Sequence, residues 1–438
     1  MQNVIMKVPG TLARVLGVAA ALAALVAVAP PALAQKEKEQ QVSRQLGPPL
    51  KAANEALQAK KYSEAIAKLK EADAMSGKKP YDQHEINEML GFAYVKTNDL
   101  ADAAKAWEPE IDDGFMPESE TQQKIRALAV IEYQLKNYDK ALDYGNRAIK
   151  GGFADNDTRT IVGQSYYLKG DMKGTARFEQ GLVDNEIKAG ETPKDEALML
   201  VYSACQKLND KPCEDHTLER LITYYPKPDY WKQLLYGLRQ QTSSNDANLF
   251  QTYRLMNEVD VLSDPGDYTE MAQIAIDQGS PGDAEQVLQK GLDGNVFTDQ
   301  RIRDKNQRLL DRAKLAAKTD QASLPKAEKD ANAAPTGAKA VAVGKAYLGY
   351  QQYDKAIDEF SKGISKGGLT NPTEAQLDLG IAQFKAGHKD DAIKSFKAVK
   401  GDPVLERLAA LWVLHAQGSA ASTASGERPH NGAARRHA

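Results

Sequence analysis

The chain has 438 residues and a formal net charge of −3 at pH 7. The charge argues against a nucleic-acid partner, because binding to nucleic acid requires a strongly basic face. The length exceeds one compact core and allows two or three domains or one elongated array. Ala, Leu, Lys, Glu, Gln and Asp dominate, and alternating runs of β-branched residues are missing, so the sequence predicts an all-helical fold.

Residues 1–34 have the pattern of a secretory signal peptide. Lys7 and Arg14 precede an apolar run at 15–28, and an A-x-A cleavage pattern ends at Ala34. The run is shorter than a membrane span of ~20 residues, and two prolines end it, which favours a cleaved peptide over an uncleaved anchor. We expect cleavage after Ala34 and a mature protein in the bacterial periplasm, without a transmembrane span.

Small residues recur with a regular period through much of the chain. Each copy of the pattern contains two small residues. The second of them follows a polar turn and is found at Ala65, Ala103, Ala141, Thr175, Ala284, Ala356 and Ala392. The earlier one lies about twelve positions before it in most copies, at Ala53, Gly91, Ala129, Gly163, Gly344 and Gly380. Neighbouring copies are 34 to 38 residues apart, a period typical of stacked supersecondary units. Each copy therefore predicts one hairpin of two helices.

A large apolar residue accompanies the small ones. It follows the later small residue by four positions, at Leu69, Trp107, Leu288, Phe360 and Phe396. Helical spacing places both residues on one face of the helix. We therefore expect the small residues to let two helices approach closely, and the large residue to fill the adjoining space.

Two of the copies end with the same kind of turn. Residues 151–153 are Gly-Gly-Phe and residues 367–369 are Gly-Gly-Leu. A helix commonly ends with a glycine in the left-handed conformation, followed by an apolar residue that packs on the last turn. We predict helix ends of this kind at both positions.

The pattern resembles the tetratricopeptide repeat, a helix-turn-helix unit of 34 residues. The stretches "LGFAYVKTNDLADAAKAW" and "VGKAYLGYQQYDKAIDEF" match its small residues, tyrosine and alanine in register. The resemblance extends over most of residues 50–400. It implies an all-α fold, a right-handed superhelical solenoid of stacked helix-turn-helix repeats.

The composition changes along the chain and predicts the domain organisation. We expect an N-terminal solenoid at 35–318 and a linker or loosely packed helix at 319–337, where large apolar residues are few. Residues 338–417 would form a pair of repeats with a capping helix, because two repeats alone are marginal. The composition of residues 418–438 predicts a disordered tail.

The sequence offers few candidates for redox, metal or catalytic chemistry. Cys205 and Cys213 are the only cysteines; an exported protein could join them as a disulfide across one hairpin, or they could be two separate buried thiols. The six histidines are scattered, and no metalloprotease, P-loop, dinucleotide or nucleophile-elbow motif occurs. We therefore predict no metal, no cofactor and no enzymatic activity.

The resemblance implies a peptide-binding groove lined by the first helix of each hairpin. The candidate residues are Asn54, Phe92, Arg126, Tyr133, Gln164 and Tyr167. Tyr133 and Tyr167 share one position in neighbouring repeats and would suit an extended or helical peptide. The alternative is that both rings close the gap between adjacent helices as part of the core. Some repeats of this family clamp a C-terminal carboxylate, but Met89 replaces an asparagine of that clamp here.

The whole layout resembles periplasmic tetratricopeptide-repeat proteins that occur with TonB-type energy-transducing systems. This resemblance implies a non-catalytic scaffold that binds another envelope protein or peptide. An adaptor in the assembly of outer-membrane proteins or exported polysaccharide is the alternative. An envelope hydrolase with a site assembled across repeats is a third hypothesis.

Overall fold

The computed structural model describes the backbone of residues 40–424 and the side chains of residues 40–418. Within that part of the chain it has twenty α-helices, one short 3-10 helix and no strand. The fold is therefore all-α, as predicted. The predicted signal peptide and the end of the predicted tail lie outside the described residues. No helix in the described part is both long enough and apolar enough to cross a bilayer.

The chain divides into two compact units. Unit 1 comprises residues up to 189 together with 199–209, and unit 2 comprises 190–198 and the chain from 210 onward. Unit 1 contains four consecutive hairpins and most of a ninth helix. Its helices are α1 (Gly47–Gln58), α2 (Tyr62–Asp73), α3 (Pro80–Thr97), α4 (Leu100–Trp107), α5 (Glu118–Gln134), α6 (Tyr138–Lys150), α7 (Asn156–Lys169), α8 (Met172–Lys188) and α9 (Asp195–Leu208), with the 3-10 helix Glu108–Ile111 after α4.

Unit 2 contains the remaining helices. They are α10 (Lys211–Tyr224), α11 (Pro228–Thr242), α12 (Asp246–Glu258), α13 (Pro265–Asp277), α14 (Pro281–Asp293), α15 (Gln300–Ala333), α16 (Ala338–Gly349), α17 (Tyr353–Lys366), α18 (Pro372–Lys385), α19 (Lys389–Lys397) and α20 (Pro403–Ala424). Helices α11 and α12, α13 and α14, α16 and α17, and α18 and α19 pack as antiparallel hairpins. The stacked helix-turn-helix plan predicted from the repeats is therefore present in both units.

The predicted packing of small against large residues occurs within the hairpins. A Cβ atom added at Gly91 would clash with the indole of Trp107, and one added at Gly380 would clash with the ring of Phe396. At Gly344 the same added atom would lie 2.9 Å from the ring of Phe360. Each glycine thus gives the large side chain of the second helix room against the first helix.

The two predicted glycine turns end their helices. Gly152 has φ +77°, and the amide of Phe153 donates to the carbonyl of Ala148, 3.1 Å away, so the chain turns back on the last turn of α6. Gly367 and Gly368 have φ values of +68° and +67° after α17. A side chain with a Cβ would strain the backbone in this region.

The predicted linker at 319–337 is mostly helical and belongs to unit 2. Helix α15 continues through these residues to Ala333, and Leu324 and Ala331 on it are buried. The hydroxyl of Tyr350, the residue after α16, donates to a carboxylate oxygen of Asp320, 2.6 Å away. A few buried residues thus suffice to pack this largely polar helix. The division between the two compact units lies near residues 189–210 of the chain and not at 319–337.

The last helix packs against several parts of unit 2. Helix α20 follows the last repeat, as the predicted capping helix would, and extends past residue 417 to Ala424. It contacts α18 and α19, and also α10 and α12. Trp412 stacks on Phe396 with ring centroids 5.7 Å apart, and Arg407 pairs with Asp215 at 3.1 Å. The unit thus brings its first and last helices into contact.

Candidate functional site

The six predicted groove residues lie on the first helices of the hairpins of unit 1. We call the surface formed by α1, α3, α5 and α7 the first-helix face. Asn54 is exposed on α1, and the other five are half-buried: Phe92 on α3, Arg126 and Tyr133 on α5, and Gln164 and Tyr167 on α7. All six residues therefore lie on the first helix of a hairpin, as the repeat pattern predicted.

Tyr133 joins two neighbouring hairpins. Its hydroxyl donates to the side-chain oxygen of Gln164 at 2.6 Å, and its ring packs beside the buried residues Val130, Ala141 and Ile161. Burial raises the pKa of Tyr133, so the hydroxyl keeps its proton at neutral pH. The ring fills part of the gap between the helices while the hydroxyl belongs to the polar surface of the face.

Tyr167 repeats this arrangement one hairpin further along. Its hydroxyl shares a hydrogen bond of 2.9 Å with Ser203, and the ammonium of Lys207 lies 4.1 Å from the centre of its ring. Burial would raise the pKa of Tyr167, but the hydrogen bonds of Ser203 and Lys207 and the charge of Lys207 lower it below the ordinary value. Lys207 thus brings a positive charge next to the ring of Tyr167.

The other candidates have different surroundings. Arg126 donates to the carbonyl of Phe153 at 2.9 Å and lies 3.7 Å from a carboxylate oxygen of Asp155, which begins α7. Phe92 packs partly on the core, with the ammonium of Lys96 5.2 Å from its ring. Within the described residues, only Tyr133 and Gln164 of the six share a hydrogen bond.

Sequence reasoning missed Ser203 and Lys207. Both lie on α9, where the repeat pattern is weak, and they are one helical turn apart. Helical spacing alone could have paired them, but it could not have placed them against Tyr167. With these two residues the row of bonded side chains comprises Tyr133, Gln164, Tyr167, Ser203 and Lys207, and we call it the tyrosine row.

A buried charge cluster near α3 and α5 was also not predicted. The ammonium of Lys124 contacts the carboxylates of Glu88 and Glu110 and lies 5.4 Å from the ring of Trp107. Burial raises the pKa of Glu110 to about 9, an effect that Lys124 opposes and Glu88 strengthens. At neutral pH the carboxyl of Glu110 is therefore protonated, and the cluster carries fewer charges than its side chains suggest.

The two cysteines of the chain are oxidised. Both Cys205 and Cys213 are disulfide-bonded. In the described part of the chain, no three His, Cys, Asp or Glu side chains are grouped closely enough to hold a metal ion.

The fold and the repeats define the class of protein as an all-α array of tetratricopeptide-like hairpins. A family model described as tetratricopeptide repeat matches residues 88–157, which include α4, α5 and α6 and parts of α3 and α7. This match supports the predicted resemblance over well under half of the chain. No curated protein sequence matches the chain.

Solved structures of tetratricopeptide-repeat proteins resemble the chain only distantly. A tetratricopeptide repeat protein from Parabacteroides merdae is 14% identical over 69% of this chain and 99% of its own, with a TM-score of 0.28. The TPR2AB domain of yeast Sti1 is 13% identical over 78% and 96%, with a TM-score of 0.23. Yeast Tom70 is 9% identical over 86% and 96%, with a TM-score of 0.24.

Proposed function

We propose that the protein is a non-catalytic scaffold of the bacterial cell envelope that binds a segment of another protein on the first-helix face of unit 1. The observation that supports this proposal is the tyrosine row. Equivalent tyrosines of neighbouring hairpins present hydroxyls that are bonded to Gln164 and Ser203, with Lys207 next to the ring of Tyr167.

The row offers the kind of surface that a peptide requires. Half-buried phenol rings provide rigid contact area at a small entropic cost. The amide of Gln164 and the hydroxyl of Ser203 retain hydrogen-bonding capacity for the main chain of a ligand. The ammonium of Lys207 would favour a carboxylate at one end of the bound segment.

The cellular setting rests on the sequence. The signal-peptide pattern supports export, and the overall layout supports an accessory role beside a TonB-type energy-transducing system. Mass spectrometry of the mature N-terminus would test the export step, which requires a chain that begins at Gln35.

Crosslinking in intact cells, followed by purification of the protein, tests the partner. We expect inner-membrane energy-transducing proteins among the captured proteins. Capture of barrel-assembly or polysaccharide-export components instead would support the alternative adaptor function.

The double substitution Tyr133→Ala and Tyr167→Ala tests the binding face. We expect it to reduce capture of the main partner by about tenfold, because it removes both rings and their hydroxyls. Tyr62→Ala with Tyr353→Ala is the matched control, since these half-buried tyrosines begin second helices, α2 and α17. If the first double variant captures every partner as the wild type does, the tyrosine row is not the binding site.

A further inference from the structure

Unit 2 contains an open cleft between α13 and α15. Its larger part has a volume of about 1000 Å³, and a second part of about 620 Å³ continues beyond Arg312, which lines both. The hydroxyl of Thr269 on α13 donates to the side-chain oxygen of the buried Asn306 on α15 at 2.9 Å and joins the two helices at the base. The cleft therefore has a fixed floor and two helical walls.

The wall formed by α15 presents one continuous helical face. The helix has 34 residues, and a row of its cleft-lining side chains recurs every three or four positions: Ile302, Lys305, Arg308, Arg312, Leu315, Thr319 and Ser323. From the first to the last of these the wall is about 30 Å long, at 1.5 Å per residue. This length matches several turns of a second helix lying alongside.

The wall carries an unusual amount of exposed apolar surface. Ile302 is 41% exposed and Leu315 is 68% exposed, and these are two of only three large hydrophobic residues that are exposed within the described chain. Ile274 and Leu309, both buried, also line the larger part of the cleft. Exposed apolar side chains beside a partly apolar lining mark a surface that gains free energy when a partner covers it.

Three cations on the same wall lack acidic partners. Lys305, Arg308 and Arg312 are exposed and form no ion pair within the described residues. Glu270 on the opposite wall is engaged by Arg239, 3.3 Å away, and Asp246 and Asp277, which also line the cleft, form no ion pair with these cations within the described residues. Like charges three and four residues apart on a helix repel each other, so carboxylates placed among them would stabilise the wall.

We propose that the α13–α15 cleft binds an acidic amphipathic helix of a partner protein. Its apolar residues would contact Ile302 and Leu315, and its carboxylates would pair with Lys305, Arg308 and Arg312. These cations extend over about 10 Å, two helical turns, so carboxylates at positions i, i+3 or i+4, and i+7 of one helix can reach them. The proposal goes beyond the function proposed above, because it concerns a different surface in the other unit.

Synthetic peptides test the proposal on the full-length chain. The probe is a fluorescently labelled helical peptide of about five turns, ~18 residues, with Leu on one face and Glu beside it. A second peptide has Lys in place of every Glu, and a third has the same Glu residues but Ser in place of every Leu. Fluorescence anisotropy at low and physiological salt gives the Kd of each peptide.

We expect saturable binding of the acidic amphipathic peptide and at least about tenfold weaker binding of the other two. The charge-reversal variant K305E/R308E/R312E should lose at least about tenfold in affinity, and I302S/L315S a similar factor. The matched control K314E/K318E/K329E reverses three exposed cations of α15 that do not line the cleft. It should retain the wild-type Kd within about threefold.

Several results would overturn the proposal. Equal affinities for the Leu-containing and Ser-containing acidic peptides would show that binding depends on charge alone. An equal loss in the control variant would show nonspecific attraction, and absence of saturable binding would exclude the cleft as a site for such a helix. Circular dichroism of each variant establishes that the fold is intact, and Y133A/Y167A, which alters unit 1 only, should leave the peptide Kd unchanged.

Discussion

At the scale of single residues, burial controls the ionisation of the Glu110 carboxyl in unit 1. The carboxyl of Glu110 is fully buried on the 3-10 helix after α4, beside the ammonium of Lys124. The Lys124 charge only partly offsets the cost of removing a carboxylate from water, so the pKa of Glu110 rises to about 9. A carboxyl with a raised pKa makes folding depend on pH in a predictable direction.

The substitution Glu110→Gln tests this dependence. The folded pKa of about 9 lies above the value of 4.5 expected of an unfolded glutamate, so the folded state binds the proton more tightly. The contribution of Glu110 to stability is therefore greatest below pH 4.5 and is lost as the pH rises from about 4.5 to about 9. Over that range the wild type should lose up to ~1.4 kcal/mol per pH unit from this group.

Urea denaturation between pH 5 and pH 9 is the measurement. We expect E110Q to show a flatter pH dependence than the wild type and to be the more stable of the two at pH 9. E120Q, at an exposed position on α5, is the control and should follow the wild type. If the free energy of unfolding of E110Q changes with pH as steeply as that of the wild type, Glu110 is ionised in the folded protein.

At the scale of elements, the last helix completes the hydrophobic core of unit 2. Trp412 on α20 is buried, stacks on Phe396 of α19 and meets Phe384 of α18 edge-on at 5.6 Å. The composition of residues 402–417 predicted a cap for the last repeats. That α20 also contacts α10 and α12 was not predictable, because those helices are far away in the sequence.

The substitution Trp412→Ala should therefore destabilise the C-terminal helices. Removal of a buried tryptophan typically costs ~3–5 kcal/mol, since it leaves a cavity among aromatic rings. Hydrogen exchange should show lost protection in α18, α19 and α20, and Q417A, at an exposed position of α20, should leave protection unchanged. Unchanged exchange in W412A would mean that these helices do not depend on α20.

At the scale of the whole molecule, buried ionic contacts join helices of unit 2 that lie far apart in the chain. Arg254 on α12 donates to Asp283 on α14 and to Asp378 on α18, each at 2.9 Å. Gln251 also donates to Asp378 at 2.9 Å. Asp378 is fully buried, and burial raises its pKa although Lys345 and Arg254 oppose the shift.

The substitution Arg254→Met should be strongly destabilising because it removes the cation nearest to the buried Asp378, at 2.9 Å, and leaves Lys345 at 3.8 Å. A cost of ~3–5 kcal/mol is typical when one member of a buried ion pair is removed. The second change Asp378→Leu should restore part of that loss in urea denaturation at pH 7. K318M, at an exposed position of α15, is the control. A single variant R254M as stable as the wild type would show that the network contributes little.

The tertiary arrangement explains why the predicted domain boundary and the observed units differ. Residues 319–337 are poor in large apolar side chains, which is typical of a linker. Yet Leu324 and Ala331 are buried. Tyr347 on α16 donates to Glu328 of α15, and Tyr350, just after α16, donates to Asp320 of α15. Composition counts side chains, whereas packing depends on which face they occupy.

The helical class, the hairpin plan and the matching of Gly91 with Trp107 and of Gly380 with Phe396 could all be predicted from the sequence. These features depend on spacing within one repeat, where helical geometry fixes the distance between residues. The six groove candidates also followed from repeat position, although their role in binding stays a prediction.

Three features could not be predicted from the sequence: Tyr167 contacts Ser203 and Lys207, Arg254 contacts Asp378, and α15 forms one wall of a cleft. Each of these contacts joins helices whose separation in the chain carries no information on their distance in space. Their geometry depends on small rotations between successive hairpins, which accumulate along the array and which no single repeat encodes.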